Sequence, residues 1–226
     1  MYTLTQRQLV TSLSVLLKRN QPTVWLLLLL MTSLLGPRPA SADTPDWQAL
    51  LAGQIIVESQ GHPEGFPGVR ASFTVAATLQ RIWAVLLDYP NFPKIFHNVK
   101  TLRVLSEDKQ GAKLAYQVDG ILSTYSYVLS RRYDEPERRL TWTRLSGDLK
   151  HVEGSWEIRD TPRPELRLLI YELYVDLGSF IPQSMVRSEV MRQTHEMGER
   201  LRAWIEGRPL PSPGQEVKPE RKEATQ

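Results

Sequence analysis

Apolar and polar residues alternate through the middle of the chain, in several segments between residues 113 and 175. In each segment the apolar residues occupy every second position, so a β-strand would place them all on one face. The alternation predicts an antiparallel sheet with one wet face and one covered face. The residues predicted on the covered face are Leu114, Tyr116, Val118, Tyr125, Tyr127, Leu129, Leu140, Trp142, Val152, Gly154, Trp156, Ile158, Leu169, Tyr171, Leu173 and Val175.

Two other segments have the apolar spacing of helices. Thr78 is of a type that caps helix N-termini, and the apolar residues within 79–86 recur at helical spacing. A longer helix is predicted from Pro182, which suits a first turn, to Gly207, which ends it. The apolar stripe of this longer helix consists of Val186, Val190, Met197, Leu201, Trp204 and Ile205.

The order of the predicted elements indicates the fold class. Two short strands, at residues 54–58 and 70–75, come first, followed by helices, many strands and the long helix. This order predicts an α+β fold in which a curved antiparallel sheet wraps around a long C-terminal helix. We place the folded domain at residues 43–206. Residues 207–226 contain four prolines and few apolar side chains, so we expect a disordered tail.

The first 42 residues have the pattern of a signal peptide. Lys18 and Arg19 precede an uncharged apolar run at residues 24–35, and residues 40–42 (Ala-Ser-Ala) have the form of a cleavage site. The run is shorter than the roughly 20 residues of an ordinary membrane-spanning helix. We therefore expect export to the periplasm or the exterior after cleavage near Ala42. An inner-membrane anchor formed by residues 24–35 is the alternative.

The charge distribution argues against nucleic acid as a partner. The formal net charge is +3 and the pI about 9.2, but residues 1–42 contain four basic side chains and no acidic one. Without them the chain is close to neutral, so it lacks the excess of basic residues that phosphate binding requires.

The predicted covered face is rich in large aromatic side chains, and these are our candidate ligand-binding residues. Buried phenol hydroxyls need hydrogen-bond partners, so several tyrosines on one face favour a cavity over a dry core. Ordinary core packing against the long helix is the alternative. Methionines 185, 191 and 197 would give the helix an adaptable surface. The predicted ligand-binding residues are Tyr116, Tyr125, Tyr127, Trp142, Trp156, Tyr171 and Met197.

The sequence contains no recognisable set of catalytic or metal-binding residues. Cysteine is absent, the histidines are far apart in sequence, and no H-E-x-x-H, G-x-S-x-G or phosphate-binding glycine motif occurs. We therefore predict no catalytic residue, no metal and no cofactor. The basic cluster that begins with Arg131 and Arg132 is interrupted by acidic residues and is interpreted as a solvated hairpin end. The four histidines are His62, His97, His151 and His195.

Several sequence blocks, taken together and in order, resemble a known superfamily. They are residues 83–93 (WAVLLDYPNFP), 131–136 (RRYDEP), 140–142 (LTW), 146–150 (SGDLK), 153–157 (EGSWE), 174–176 (YVD) and 180–182 (FIP). The chain resembles the START-like (SRPBCC) superfamily, and more narrowly its polyketide cyclase/dehydrase and coenzyme-Q-binding branch, over about residues 52–206. The resemblance implies a helix-grip domain with an internal cavity for hydrophobic molecules. It implies no catalytic residue, because the superfamily shares no invariant catalytic set.

Three functional hypotheses follow. The first is an exported domain that binds or carries a lipid, isoprenoid or quinone. The second is a cyclase or dehydratase that uses polar groups of the cavity, such as a tyrosine hydroxyl or Arg144. The third is a protein-interaction module with a vestigial cavity. The predicted partner is a hydrophobic small molecule; contact with a membrane surface stays open, and the sequence indicates no oligomeric state.

Overall fold

The computed structural model describes residues 45–120, 123–178 and 181–212. From Asp46 onward these residues belong to one compact unit. The predicted leader, and the predicted tail beyond residue 212, lie outside the described residues. In chain order the elements are α1 (Trp47–Leu51), β1 (Ile56–Gly61), β2 (Pro67–Val75), α2 (Leu79–Leu86), a 3₁₀ turn (Tyr89–Asn91), α3 (Phe92–Ile95), β3 (Val99–Glu107), β4 (Gly111–Asp119), β5 (Thr124–Asp134), β6 (Arg139–Gly147), β7 (His151–Asp160), β8 (Arg167–Asp176) and α4 (Gln183–Ile205).

The eight strands form a single antiparallel sheet in the order β1-β2-β8-β7-β6-β5-β4-β3. Strands β3 to β8 are neighbours in sequence as well as in space, and β8 pairs with β2 of the first hairpin. The sheet is curved and carries the long helix α4 on its apolar face, which confirms the predicted α+β helix-grip fold. The first two predicted strands are present, and both extend further into their connecting turn than the sequence indicates.

Both predicted helices are present. The side chain of Thr78 accepts a hydrogen bond from the Arg81 amide, which satisfies one free N–H at the start of α2. Helix α4 spans 23 residues and packs on β1 and β2 through a buried face that includes Val186 and Leu201. Within the three described ranges, no helix is long and apolar enough to cross a membrane.

The outer face of the sheet is not entirely wet, contrary to the prediction from alternation. Leu168 and Ile170 of β8 point away from the main core, and helix α1 covers them with Leu50 and the partly buried Trp47. The sequence of β8 shows the reason, because a run of apolar residues at 168–170 belongs to both faces at once. Period-2 patterning indicates one buried face and is uninformative where a short helix covers the other.

Strand β3 was absent from the predicted set because its apolar residues do not alternate with polar ones. It pairs only with β4, and Val99 is its only buried residue. Its register shifts twice, between Val99 and Thr101 and between Val104 and Ser106. Each irregularity places an extra residue on one strand, so the apolar positions of β3 do not keep a strict alternation.

Contacts of the domain continue beyond the predicted boundary at Glu206. The buried guanidinium of Arg200 on α4 donates to three backbone carbonyls: Nε to Ile95 and Nη2 to Lys94, both at 2.7 Å, and Nη1 to Pro211 at 2.5 Å. Arg200 therefore joins α4, the end of α3 and the chain after α4. The segment from Arg208 to Pro211 supplies an acceptor that a buried charge needs.

Two truncations should separate the packed part of the C-terminal segment from the rest. A chain that ends at Ser212 should unfold with the same free energy as the full chain. A chain that ends at Gly207 lacks the Pro211 carbonyl, so one charged donor of Arg200 loses its partner at a cost of about 1–2 kcal/mol. Urea unfolding followed by circular dichroism measures both. Equal stability of the two truncated chains would show that the Pro211 contact contributes nothing.

Candidate functional site

A cavity of about 220 Å³ lies between the apolar face of the sheet and α4. Strands β4 to β8 form most of its wall, and α4 contributes side chains between Glu189 and Met197. All seven residues predicted from the sequence line it: Tyr116, Tyr125, Tyr127, Trp142, Trp156, Tyr171 and Met197. Their contact with a ligand stays a prediction.

Strand register brings the aromatic side chains together in pairs. Tyr116 of β4 lies opposite Tyr127 of β5, and their rings stack with centroids 5.5 Å apart. Trp156 of β7 lies opposite Tyr171 of β8, with centroids 4.6 Å apart. Directly opposite positions on one face of an antiparallel pair are close enough for such ring contacts. The sheet thus builds the cavity wall from cross-strand aromatic pairs.

A glycine allows Trp142 to lie across the sheet. Gly154 of β7 is the register partner of Trp142 on β6. A Cβ atom at position 154 would lie 2.4 Å from the indole of Trp142 and 2.2 Å from the carbonyl oxygen of Glu172. The absence of a side chain here lets the indole approach the backbone and stack, at 5.6 Å between centroids, on Tyr171.

Three phenols in the cavity keep their protons. Burial raises the pKa of Tyr116 to about 12 and raises the pKa values of Tyr127 and Tyr171 further. These rings remain partly accessible because they face the cavity. Their hydroxyls make no hydrogen bond to another residue in the described part of the chain. They are therefore neutral groups that can donate to, or accept from, a molecule in the cavity.

Arg131 also lines the cavity, which corrects the interpretation of its basic cluster as a solvated hairpin end. Only 5% of its surface is exposed, whereas Arg132 beside it is exposed. Position 131 continues the series 125, 127, 129 on β5, so period-2 alternation places its side chain inside. The sequence contained this signal, but the charge of the side chain was weighted above its position on the strand.

Aromatic rings surround the guanidinium of Arg131. Its central carbon lies 5.3 Å from the ring centre of Tyr89, 5.6 Å from Phe92 and 5.7 Å from Trp142. Nη1 donates to the carbonyl oxygen of Leu86 at 3.3 Å. No carboxylate pairs with Arg131 among the described residues. Cation–π contacts, together with a hydrogen bond between the guanidinium and the Tyr89 hydroxyl, offset part of the cost of burying this charge, which no described carboxylate neutralises.

Other residues named from the sequence lie elsewhere. Arg144 is not part of the cavity wall; its Nη2 donates to the carbonyl oxygen of Gly147 at 2.7 Å. Met185 is half exposed near the start of α4, and Met191 does not line the cavity, so Met197 is the methionine of the predicted trio that does. A helix turns 100° per residue, and methionines six residues apart do not share one face.

A polar group that the sequence did not indicate lies at the cavity wall beside α4. The amide of Asn98 donates to Gln193 at 3.1 Å, and Gln193 donates to Glu189 at 2.7 Å. All three residues line the cavity. They connect α4 to the start of β3. Polar residues spaced four apart on a helix usually indicate only a wet face, so the sequence contained no sign of this network.

The sequence matches a known family over most of the domain. The family model described as "Polyketide cyclase / dehydrase and lipid transport" matches residues 75–202, more than half of the chain. The chain belongs to this family. The START-like resemblance found from the sequence blocks is thereby confirmed at the level of the superfamily. The narrower coenzyme-Q-binding branch stays a prediction. No curated protein is similar enough in sequence to be named as a relative.

Solved structures of START-like proteins share the fold. A STAR-related lipid transfer protein from Xanthomonas axonopodis superposes with a TM-score of 0.58 at 14% identity, covering 73% of this chain and 96% of that one. For human StAR-related lipid transfer protein 5 the TM-score is 0.57 at 14% identity, with 83% and 98% covered. For the Zhui aromatase/cyclase from Streptomyces sp. R1128 it is 0.53 at 18% identity, with 68% and 94% covered. At these identities the likeness shows the fold alone.

Replacing Gly154 by Ala should disturb the cavity wall of this family member. The added methyl group would overlap the backbone of β8, which cannot move freely, so the expected loss of stability is about 1–3 kcal/mol. Trp142 should shift, which its fluorescence would report. The matched control is Gly61→Ala, because nothing lies within 4 Å of a Cβ built at that position. Equal stability of the two variants would contradict close packing at Gly154.

Proposed function

We propose that this protein binds and carries a small apolar molecule in the cavity, with an oxygen-bearing end of that molecule at Arg131. One observation supports the proposal above all others. A mainly apolar cavity contains a buried guanidinium without a carboxylate partner, together with three neutral phenols that bond to no described residue. A buried charge without a counter-ion, beside buried hydroxyls without hydrogen-bond partners, is typical of a binding site rather than of a core.

The site has an apolar part and a charged part at Arg131, and this combination favours an amphiphilic ligand. The aromatic pairs and Met197 offer apolar surface, which is worth roughly 25 cal/mol per Å² removed from water. A carboxylate or carbonyl oxygen would satisfy Arg131, and hydrogen bonds to a charged group are the stronger ones. A fully apolar hydrocarbon would leave the Arg131 charge without a counter-ion. We therefore favour a fatty acid, an isoprenoid acid or a quinone over a neutral hydrocarbon.

The volume of the cavity limits the size of the ligand that it can hold. Its volume of about 220 Å³ is below the range of roughly 300–1,000 Å³ typical of sites for drug-sized ligands. One acyl chain or one small ring system suits this volume better than a lipid with two long chains. The family description includes lipid transport, and two of the structural neighbours are named as lipid transfer proteins.

Binding without catalysis is the better-supported reading of the polar groups. A cyclase or dehydratase needs a general base next to the reacting carbon. Burial raises the pKa values of the cavity phenols, so at neutral pH they serve as hydrogen-bond partners and not as bases. The Glu189 carboxylate at the wall accepts hydrogen bonds from Arg192 and Gln193, and the Arg192 contact lowers its pKa, which makes it a weak base. The catalytic alternative predicts that a bound molecule is converted, whereas a carrier returns it unchanged.

Arg131→Leu should separate ligand binding from folding. Removing a buried unpaired charge in favour of an apolar side chain is often neutral or stabilising, so we expect no drop in melting temperature. Affinity for a fluorescent fatty acid should fall about 10- to 100-fold, the equivalent of one charge-assisted hydrogen bond. Affinity for the methyl ester, which lacks the charge, should change much less. Arg132→Leu is the matched control because that side chain is exposed.

Solvent extraction and mass spectrometry of the purified protein test whether it contains a bound ligand and whether it converts that ligand. A copurifying amphiphile that is recovered unchanged after incubation supports a carrier, and a converted one supports an enzyme. If no apolar acid or quinone binds to the wild-type protein, and Arg131→Leu lowers the melting temperature by many degrees, then Arg131 is a structural residue. The interaction-module hypothesis would then stand.

We also propose that the protein is exported. The support is the sequence of the leader: basic residues, a short apolar run, and small residues at positions 40–42. An apolar ligand outside the cytoplasm needs a protein to shield it from water. Intact-mass measurement and N-terminal sequencing of the natively expressed protein should give a chain that begins at Asp43. A full-length chain in the inner-membrane fraction would instead identify residues 24–35 as an anchor.

A further inference from the structure

Two histidines and a glutamate meet on the outer face of the sheet, away from the cavity. His151 and Glu153 occupy alternate positions of β7, on the face opposite Val152 and Trp156, which line the cavity. His62 comes from the turn between β1 and β2. One ligand atom from each of these three residues can be chosen so that all lie within 4.8 Å of one another. Residues far apart in sequence thus form one cluster.

The donor atoms lie close enough together for small side-chain movements to bring them around one metal ion. Nε2 of His62 lies 3.3 Å from one carboxylate oxygen of Glu153, and Nε2 of His151 lies 3.2 Å from the other. Around a zinc ion with bonds of about 2.0–2.1 Å, neighbouring ligand atoms are about 3.3 Å apart. Two imidazoles and a carboxylate are ligand types that zinc prefers, and three protein ligands leave a fourth position for water.

The turn that carries His62 is held rigidly. The His62 amide donates to the carbonyl oxygen of Phe66 at 3.0 Å, and the Gly65 amide donates back to His62 at 2.8 Å. The rings of His62 and Phe66 stack with centroids 4.0 Å apart and nearly parallel planes, and Phe66 also lies 4.6 Å from His151. Phe66 therefore orients both imidazoles, as surrounding groups do in metal sites.

Tyr174 of β8 supports the cluster from the side. Its ring meets His62 edge-on at 5.4 Å, and its hydroxyl donates to Gln60 at 2.8 Å. The ring lies across Gly68 of β2, where a Cβ atom would be only 2.3 Å from it. Strands β2, β7 and β8 and the first hairpin thus hold the three side chains next to one another.

One donor atom in the cluster has no hydrogen bond. Nε2 of His151 is buried and makes none within the described residues, although a Glu153 oxygen lies nearby. Nδ1 of His62 accepts a hydrogen bond of 3.2 Å from the Glu64 amide, so in the metal-free protein its proton is on Nε2. A metal needs the lone pair on Nε2. Binding therefore moves that proton to Nδ1 and breaks the hydrogen bond from the Glu64 amide.

We propose that His62, His151 and Glu153 form a site for a borderline divalent metal ion, Zn²⁺ in the first instance. Side-chain exposures of 16%, 33% and 31%, in that order, leave the site accessible to an ion from solvent. A bound ion ties the β1–β2 turn to the start of β7. The site is on the opposite face of β7 from the cavity, so its test does not depend on the proposed ligand.

The experiment uses the full chain without a polyhistidine tag, stripped with a chelator and titrated with ZnCl₂ in a calorimeter. We expect one Zn²⁺ per chain and a higher melting temperature with the ion, since binding to the folded state alone stabilises it. Substituting Co²⁺ should give the strong visible absorption of a tetrahedral site. His62→Gln, His151→Gln and Glu153→Gln should each lower the affinity for Zn²⁺ on the order of 100-fold or more.

His97→Gln is the matched control. It removes a histidine that pairs with Glu196 at 3.0 Å, on a different part of the molecule. This variant should bind Zn²⁺ as tightly as the wild type. The proposal is overturned if the wild-type chain binds no stoichiometric Zn²⁺ at micromolar concentration. It is also overturned if all three cluster variants bind as well as the control, because the three side chains would then form only imidazole–carboxylate ion pairs.

Discussion

One helix cannot cover the apolar face of this sheet, and the rest of the structure follows from that mismatch. Eight strands about 4.8 Å apart make a face about 34 Å wide, whereas a helix with its side chains is about 10–12 Å across. Helix α4 lies on β1 and β2. Curvature brings the remaining strands around it but does not close the gap. Large aromatic residues on β4 to β8 fill part of the space, and the cavity is what they leave.

Arg131 is a buried charge in an otherwise mainly apolar interior. Its charge lies among three aromatic rings, and the guanidinium bonds to the carbonyl oxygen of Leu86 and the hydroxyl of Tyr89, but no described carboxylate neutralises it. An apolar residue at this position of β5 would pack without the cost of burying a charge.

Most of the fold and the cavity wall could be predicted from the sequence, because the alternation of a strand fixes which side chains share a face. The alternation placed Tyr127 and Trp142 on the covered face, where the structure has them. It also places Arg131 on that face, but the sequence analysis gave more weight to the charge of Arg131 than to its position on the strand. It could not reveal the covered patch at Leu168 and Ile170, since a continuous apolar run has no preferred face. Nor could it reveal the cluster of His62 with residues of β7, because only the strand order brings the first hairpin to β8 and β7.

The irregular edge strand β3 also affects whether other molecules can pair with this sheet. An open sheet ends in a row of unpaired backbone groups, which can recruit strands from other molecules and begin aggregation. In β3 the two register shifts interrupt that row. A second strand approaching this edge therefore meets a bent backbone and not a continuous row of free groups. The irregular backbone of β3 is therefore a poor template for pairing with another strand, although this edge of the sheet is open.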